Sequence, residues 1–303
     1  PLCTFLSGGL DSSIITAYAS QYYKEHNLGP LPTYSVDYID NDKNFVKSDF
    51  QPNSDSHYIE LMKNRFHTKH HTIVLDTPEL ADSLMDAMIA RDLPGMADVD
   101  SSLLLFCKNV KPYATVALTG ECADEIFGGY PWFFREDALS SHTFPWSIAI
   151  KERQDLLHPD ISKKINLKDY IDFRYHESLD EVTILDCDSK ETAEKRKISY
   201  LTLNWFMQTL LDRSDRMAMY QGFELRVPFC DYRLAEYLWN IPWEIKALNG
   251  REKGLLRFIM KDILPEEIVD RKKSPYPKTH NPTYLKRVKE MLNEIMKNPN
   301  API

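Results

Sequence analysis

The sequence predicts an α/β protein, a doubly wound parallel sheet with a mainly helical second half packed on it. Three observations carry this. Short apolar stretches alternate with helix-like stretches from Pro1 to Gly120. The first apolar stretch runs straight into a glycine turn and then a helical pattern. Beyond Tyr130 the strand signals fade and helical patterns take over. The reading divides the chain into an α/β core over residues 1–130 and a helical part over 131–303.

Taken in order, Leu2 to Leu6 reads as a short buried strand, and Ile14, Ile15, Ala17 and Tyr18 as the apolar face of the helix after it. Leu31 to Val36 is a second strand. A polar loop follows from Asp37 to about Pro52 and belongs on the surface. Asn53 or Ser54 caps a helix with Tyr58, Leu61, Met62 and Phe66 on one face. His71 to Leu75 is a third strand. Thr77-Pro78 opens a helix reaching about Arg91, because proline is pre-organised for the first helical position. Val99 to Asn109 is another helix, and Thr115 to Thr119 a fourth strand, apolar enough for the centre of a parallel sheet. In the second half Lys190–Asp212, Asp231–Asn240, Arg251–Lys261 and Thr283–Lys297 read as helices. Ligands of such sheets sit at the carboxyl ends of the strands. The loop after the first strand and the segment after Thr119 are therefore expected to face one crevice.

Composition narrows the function. A net charge of −8 argues against non-specific nucleic-acid binding. No apolar run is long enough to span a bilayer, and no basic-then-apolar leader opens the chain. The five cysteines (Cys3, Cys107, Cys122, Cys187, Cys230) are odd in number and form no Cys-x-x-Cys pair. Reduced thiols in a cytoplasmic protein are the expectation, with neither nucleic acid nor membrane as partner. His67, His70 and His71 have a metal-like spacing but no acid in a helical zinc arrangement, so a structural role is expected. Trp132, Phe133 and Phe134 read as core. Glu224 and Arg226 fit either a buried ion pair or a substrate contact.

Two strings carry chemistry. The first is Leu6-Ser7-Gly8-Gly9-Leu10-Asp11-Ser12-Ser13. Gly8 and Gly9 let backbone approach an anion, Ser12 or Ser13 offers a hydroxyl, and the N–H groups of the following helix point at the ligand. Asp11 would repel a polyphosphate unless a divalent cation lies between them, so the loop points to a metal–pyrophosphate complex. An ordinary strand-to-helix turn is the plainer reading of a lone Gly-Gly pair. The second string is Thr119-Gly120-Glu121-Cys122-Ala123-Asp124-Glu125-Ile126-Phe127-Gly128-Gly129-Tyr130. Its three carboxylates also suit a helix N-terminus, worth about 0.3–1 kcal/mol each. Beside a loop that asks for a cation, Asp124 can share the metal with Asp11, Thr119 and Gly120 can meet the nucleotide, and Glu121 is left for substrate or proton work.

The first string resembles the pyrophosphate loop of enzymes that split ATP between its α and β phosphates. The two together resemble the synthetase domain of the glutamine-dependent asparagine synthetases, in the N-type ATP pyrophosphatase family. Asp215-Arg216-Met217-Ala218-Met219 through Glu224-Leu225-Arg226-Val227-Pro228-Phe229-Cys230-Asp231 is a third match, and Glu252-Lys253-Gly254-Leu255-Leu256-Arg257 with Arg271-Lys272-Lys273 a fourth. The resemblance implies an adenine-nucleotide α-hydrolase-like fold, ATP and Mg2+ as cofactors, and aspartate and ammonia as substrates. It implies adenylation of the aspartate β-carboxylate to β-aspartyl-AMP, then attack by ammonia to give asparagine and AMP. Lys253 matches the family's catalytic lysine and Glu121 the glutamate that handles the ammonia proton or the intermediate. Phe5 and Val36 match residues at the adenine. Ser7, Gly8, Gly9, Asp11, Ser12, Ser13, Thr119, Gly120, Arg257, Arg271 and Lys272 fall to ATP and pyrophosphate, with Asp11 and Asp124 on the metal.

The family's complete enzyme opens with a glutaminase domain whose catalytic cysteine is N-terminal. That domain is expected to be missing, with Cys3, inside the first strand, no replacement for it. Use of ammonia without glutamine hydrolysis is expected, with the missing domain as natural ammonia source; a homodimer is a further expectation. Pro94 to Ser102 departs from the family's usual threonines and arginine at the amino-acid site. Adenylation of another carboxylate, as in β-lactam synthetases, and a catalytically inactive nucleotide-binding fragment are the competing readings.

Overall fold

Five parallel strands form the sheet: β1 (Leu2–Phe5), β2 (Pro32–Tyr38), β3 (Lys69–Leu75), β4 (Val116–Leu118) and β5 (Glu224–Arg226). They lie in the order β3-β2-β1-β4-β5. The computed structural model describes residues 1–46 and 53–299. Thr4 of β1 is in register with Thr33 on one side and Leu118 on the other. The chain builds outward from β1 to β3, then returns to lay β4 on the opposite side of β1. The strand order therefore reverses between β1 and β4, the place where doubly wound sheets bind ligands.

The four strands expected from sequence are present. β2 runs on through Asp37 and Tyr38, and Asn41–Asn44 is a short helix within the expected polar loop. The rest of that loop, residues 47–52, lies outside the described residues. β5 is a strand the sequence reading did not find. It has three residues with only Leu225 apolar, and pairs along β4 from Val116↔Glu224 to Leu118↔Arg226. On it Arg226 Nε donates to Glu224 Oε1 at 2.7 Å, an exposed ion pair.

The helix Leu10–Glu25 buries Leu10, Ser13, Ile14, Ile15, Thr16, Ala17 and Ser20. Tyr18 is 52% exposed, off the buried stripe. Small and hydroxyl residues on that stripe let the helix sit close to β1, and the Thr4 and Thr16 hydroxyls are 2.9 Å apart. Asp55, not Asn53 or Ser54, precedes the helix Ser56–Phe66. The stretch from Thr77 is two helices, Thr77–Asp82 and Leu84–Arg91. Ser83 interrupts them, its hydroxyl donating to the Leu80 carbonyl at 3.0 Å in competition with the helical ladder. The expected helix Lys190–Asp212 is longer: Lys190–Leu201 passes through a π-helical segment, Thr202–Met207, into Gln208–Tyr220.

The described residues form two compact units. The first holds Pro1–Glu121, Leu210–Asp231 and the described chain from Arg257 onward, and contains the whole sheet. Its core sets Cys3 and Ala117 against Leu103, Leu104, Phe106, Cys107 and Val110 of the helix Asp98–Val110, and against Met217, Ala218 and Phe223. Burial pushes the Cys3 thiol up to about 12 and raises Cys107 further, so both are packing groups rather than nucleophiles. On β3, His70 takes hydrogen-bonding contact with the hydroxyls of Thr33 (2.9 Å) and Ser35 (3.0 Å). Burial brings its imidazole down to about 4. The second unit, Cys122–Thr209 and Tyr232–Leu256, is helical. It includes the helix Leu167–Asp180, which the sequence reading did not find, and a cluster of Phe144, Tyr175 and Leu201. Among the described residues no helix is long and apolar enough to cross a membrane.

Candidate functional site

In the first unit the turn after β1 is knitted by its own hydroxyls. Ser7 N donates to Ser12 Oγ at 3.2 Å, the Ser7 and Ser12 hydroxyls are 3.0 Å apart, and Ser12 Oγ donates to the Gly9 carbonyl at 3.2 Å. Gly9 N donates to Ser7 Oγ at 3.3 Å. Ser12 is therefore committed to holding the turn, whereas the Ser13 hydroxyl is buried with no hydrogen-bond partner. Gly9, extended, caps the helix, and Asp11 lies in its first turn. Gly8 has φ +69°, and a Cβ there would come within 2.5 Å of Tyr58 Cβ.

Gly120, just past β4, closes against the same turn. A Cβ on it would lie 2.5 Å from Ser12 N and 2.7 Å from the Asp11 carbonyl carbon. The two strings thus meet at the β1–β4 reversal, as their positions after parallel strands imply. Thr119, also buried, leaves its hydroxyl unpartnered while its N–H donates to the Arg226 carbonyl at 2.9 Å. Phe5 and Val36, at the carboxyl halves of β1 and β2, pack half-buried on the core.

Arg271 reaches this turn from the far end of the sequence. Its Nη1 donates to the Ser7 carbonyl at 2.9 Å and its Nη2 to Asp55 Oδ1 at 2.5 Å, with the guanidinium 4.0 Å from the centre of the Tyr58 ring. Burial raises the Asp55 carboxyl, against the pull of Arg271. Sequence reading found Arg271 but missed Asp55 and Tyr58, which have no motif of their own. Arg257 donates from Nη1 to the carbonyls of Val269 and, at 3.0 Å, Arg271, so it shapes the segment that carries Arg271. Lys272 is exposed.

Glu121 follows at once. Ser214 Oγ donates to its Oε1 at 2.7 Å, and Arg213 Nη2 lies 3.4 Å from the same oxygen. Neither Arg213 nor Ser214 stood out in the sequence, since they fall between the expected helix ending at Asp212 and the string beginning at Asp215.

In the second unit Lys253 is 2% exposed and its Nζ is 2.7 Å from Asp124 Oδ1. Lys253 lies in a turn at φ +53° just before the helix Gly254–Met260, not inside a helix as expected. Gly254 explains the shift: a Cβ there would meet the Leu248 backbone at 2.3–2.4 Å, so the chain must turn sharply before the helix begins. A left-handed non-glycine residue costs about 1–3 kcal/mol, and such residues cluster at functional sites. Gly129 leaves room for the pair, because a Cβ there would lie 1.9 Å from Asp124 Oδ1 and 2.6 Å from Lys253 Cε. Tyr130 donates to Glu125 Oε1 at 2.7 Å. Among the described residues no three His, Cys, Asp or Glu side chains gather into a metal-binding group.

Glycine turn, helix start and strand reversal together define a doubly wound α/β protein with a tight glycine turn at the switch point of its sheet. The family model for asparagine synthase matches residues 1–303. The chain is 53% identical to asparagine synthetase [glutamine-hydrolyzing] 3 of Bacillus subtilis (strain 168), over 97% of this chain and 48% of that protein. It is 29% identical to asparagine synthetase [glutamine-hydrolyzing] 1 of the same organism, over 91% and 46% respectively. With the asparagine synthetase [glutamine-hydrolyzing] of Gallus gallus it shares 24% over 89% of this chain and 38% of that protein. The chain belongs to the asparagine synthase family. It spans about half the length of the Bacillus relatives it matches.

Proposed function

We propose that this chain carries the synthetase chemistry of an ATP-dependent amide-forming ligase. The β-carboxylate of aspartate attacks the α-phosphorus of ATP, β-aspartyl-AMP forms and pyrophosphate leaves. Ammonia then attacks the acyl carbon, AMP leaves with the acyl-oxygen bond electrons, and the nitrogen sheds a proton to give asparagine. The observation that carries the reading is the Ser7–Ser13 turn, closed by Gly120 and braced by Arg271.

Pyrophosphate leaves with concentrated negative charge, so fixed donors aimed at it are what the reaction needs most. The Gly8 N–H, the Ser13 hydroxyl and the start of the helix Leu10–Glu25 supply donors; Ser7, Gly9 and Ser12 hold the turn in place. Thr119 and Gly120 meet the nucleotide, and the backbone of Phe5 and Val36 meets the adenine. Lys253 is the catalytic cation. Arg271 adds charge at the turn, Arg257 acts through it, and exposed Lys272 has the most peripheral role. Glu121 handles the intermediate or the proton from ammonia. Asp11 in the first unit and Asp124 in the second are each proposed as a Mg2+ ligand, since hard carboxylate oxygens suit this ion and it commonly binds one or two of them together with substrate phosphates. When bound, the ion supplies charge neutralisation at the pyrophosphate. Ammonia is the nitrogen donor in this reading, and Cys3, buried within β1, is a packing group.

Incubation with ATP, Mg2+, aspartate and ammonium tests the reading. Asparagine, AMP and pyrophosphate are expected in equal amounts, with glutamine unable to replace ammonium. Absence of aspartate-dependent pyrophosphate release overturns it.

A further inference from the structure

The polar cluster around Glu121 holds groups that phosphate binding leaves unexplained. Arg213 is 7% exposed. Its contacts are weak: Nη2 to Glu121 at 3.4 Å and Nη1 to the Met96 sulfur at 3.5 Å. Its Nε is buried with no hydrogen-bond partner, and so is Glu121 Oε2. Asp100 adds to the pattern. One of its oxygens takes Arg91 Nη1 at 3.1 Å and Met96 N at 2.9 Å, while the other is buried and unpartnered, as is the Ser101 hydroxyl. Proteins pair nine in ten or more of their buried polar groups, and leaving one unmet costs about 1–3 kcal/mol. Several within one cluster mark a place where a ligand completes the pairing.

The signs of the unmet groups identify the ligand. A lone guanidinium would suit any oxyanion. Here the guanidinium stands beside the Glu121 carboxylate, which repels a polyanion. An unmet donor next to an unmet carboxylate oxygen matches a zwitterion with an adjacent carboxylate and ammonium, the head of an α-amino acid. The site is reachable, since the Glu121 side chain is 27% exposed whereas that of Arg213 is 9% exposed.

We propose that Arg213 is the specificity-determining residue for the amino-acid substrate, binding its α-carboxylate while Glu121 faces its α-ammonium. The side-chain carboxylate is then the one left for activation. This rests on the function proposed above and adds the residue that selects an α-amino acid.

The test is ATP–pyrophosphate exchange driven by aspartate, by β-alanine (aspartate without its α-carboxylate) and by succinate (aspartate without its amine). Wild type is expected to favour aspartate over each analogue by about 10- to 100-fold in kcat/KM, the worth of one charged hydrogen-bonding contact. Arg213→Met should remove that preference over β-alanine, lowering kcat/KM for aspartate about 10- to 100-fold while β-alanine stays within about threefold. Arg213→Lys should fall between the two. An equal loss for aspartate and β-alanine means a merely structural role and overturns the proposal. If the variants fail to fold, wild type alone decides, because equal use of aspartate and β-alanine overturns it as well. No aspartate-dependent exchange in wild type overturns the proposed function and this proposal together. Exchange with an unchanged aspartate to β-alanine ratio in folded variants overturns this proposal alone.

Discussion

Substituting Gly8 by alanine separates two costs that glycine avoids. The first is conformational: φ is +69°, where an L-residue costs about 1–2 kcal/mol. The second is steric: the new Cβ would lie 2.5 Å from Tyr58 Cβ, 2.8 Å from the Tyr58 carbonyl carbon and 2.9 Å from Ile59 N. Two of these are backbone atoms of a helix and cannot swing aside, so overpacking adds about 1–3 kcal/mol. Together Gly8→Ala should destabilise by about 2–5 kcal/mol. Gly29 provides the control. It has φ +80° with nothing within 4 Å of an added Cβ, so Gly29→Ala carries the conformational cost alone. A less flexible unfolded chain returns about 0.4–1 kcal/mol of it. Urea unfolding of both variants at one pH gives the comparison through the midpoint at unchanged slope. If Gly8→Ala is no less stable than Gly29→Ala, the close approach of the helix Ser56–Phe66 to the turn is wrong.

Lys253→Ala should lower aspartate-dependent pyrophosphate release by at least about 100-fold, roughly the loss of one strong transition-state contact, with ATP affinity little changed; normal turnover removes the assignment. Asp11→Asn should weaken ATP binding in Mg2+ but not in its absence, measured by calorimetry, and unchanged binding in Mg2+ places the ion elsewhere. Arg271→Met strands a buried carboxylate at Asp55, so unfolding experiments should show a loss of about 3–5 kcal/mol, and a loss under about 1 would mean the pair is not buried in solution. His70 is held down to about 4, below its ordinary 6.5. The unfolded chain therefore binds its proton first. The stability His70 contributes is complete above 6.5 and drains away as pH falls toward 4. The stability gap between wild type and His70→Gln should shrink over that window, and a pH-independent gap would falsify the burial of His70.

The architecture was legible because a parallel sheet, covered on both faces, leaves short apolar runs between helical stretches. β5 was not, because Glu224-Leu225-Arg226 offers a single apolar residue and earns its place only by pairing with β4. Propensity sees sequence neighbours, and β5 is defined by a neighbour across the sheet. Lys253 reads as helical for the same reason: its left-handed turn is imposed by Gly254 pressed against Leu248. At the site, Gly8 and Gly120 could be read from their strings, since close backbone approach demands glycine there. Asp55 and Tyr58 could not, because their role exists only once Arg271 arrives. Arg213 carried no signal except a charge on a helix that otherwise buries Met217 and Ala218.

The Ser7 carbonyl and the Arg271 guanidinium that braces it are separated by 264 positions. During synthesis the turn emerges long before its brace. Closing so long a loop carries an entropic cost that only the assembled sheet and helices can offset. The Ser7–Arg271 clasp thus acts as a completion mark for the first unit: a growing chain that has its glycine turn, β1 and even β4 still lacks it, and gains it only after Arg271 has emerged.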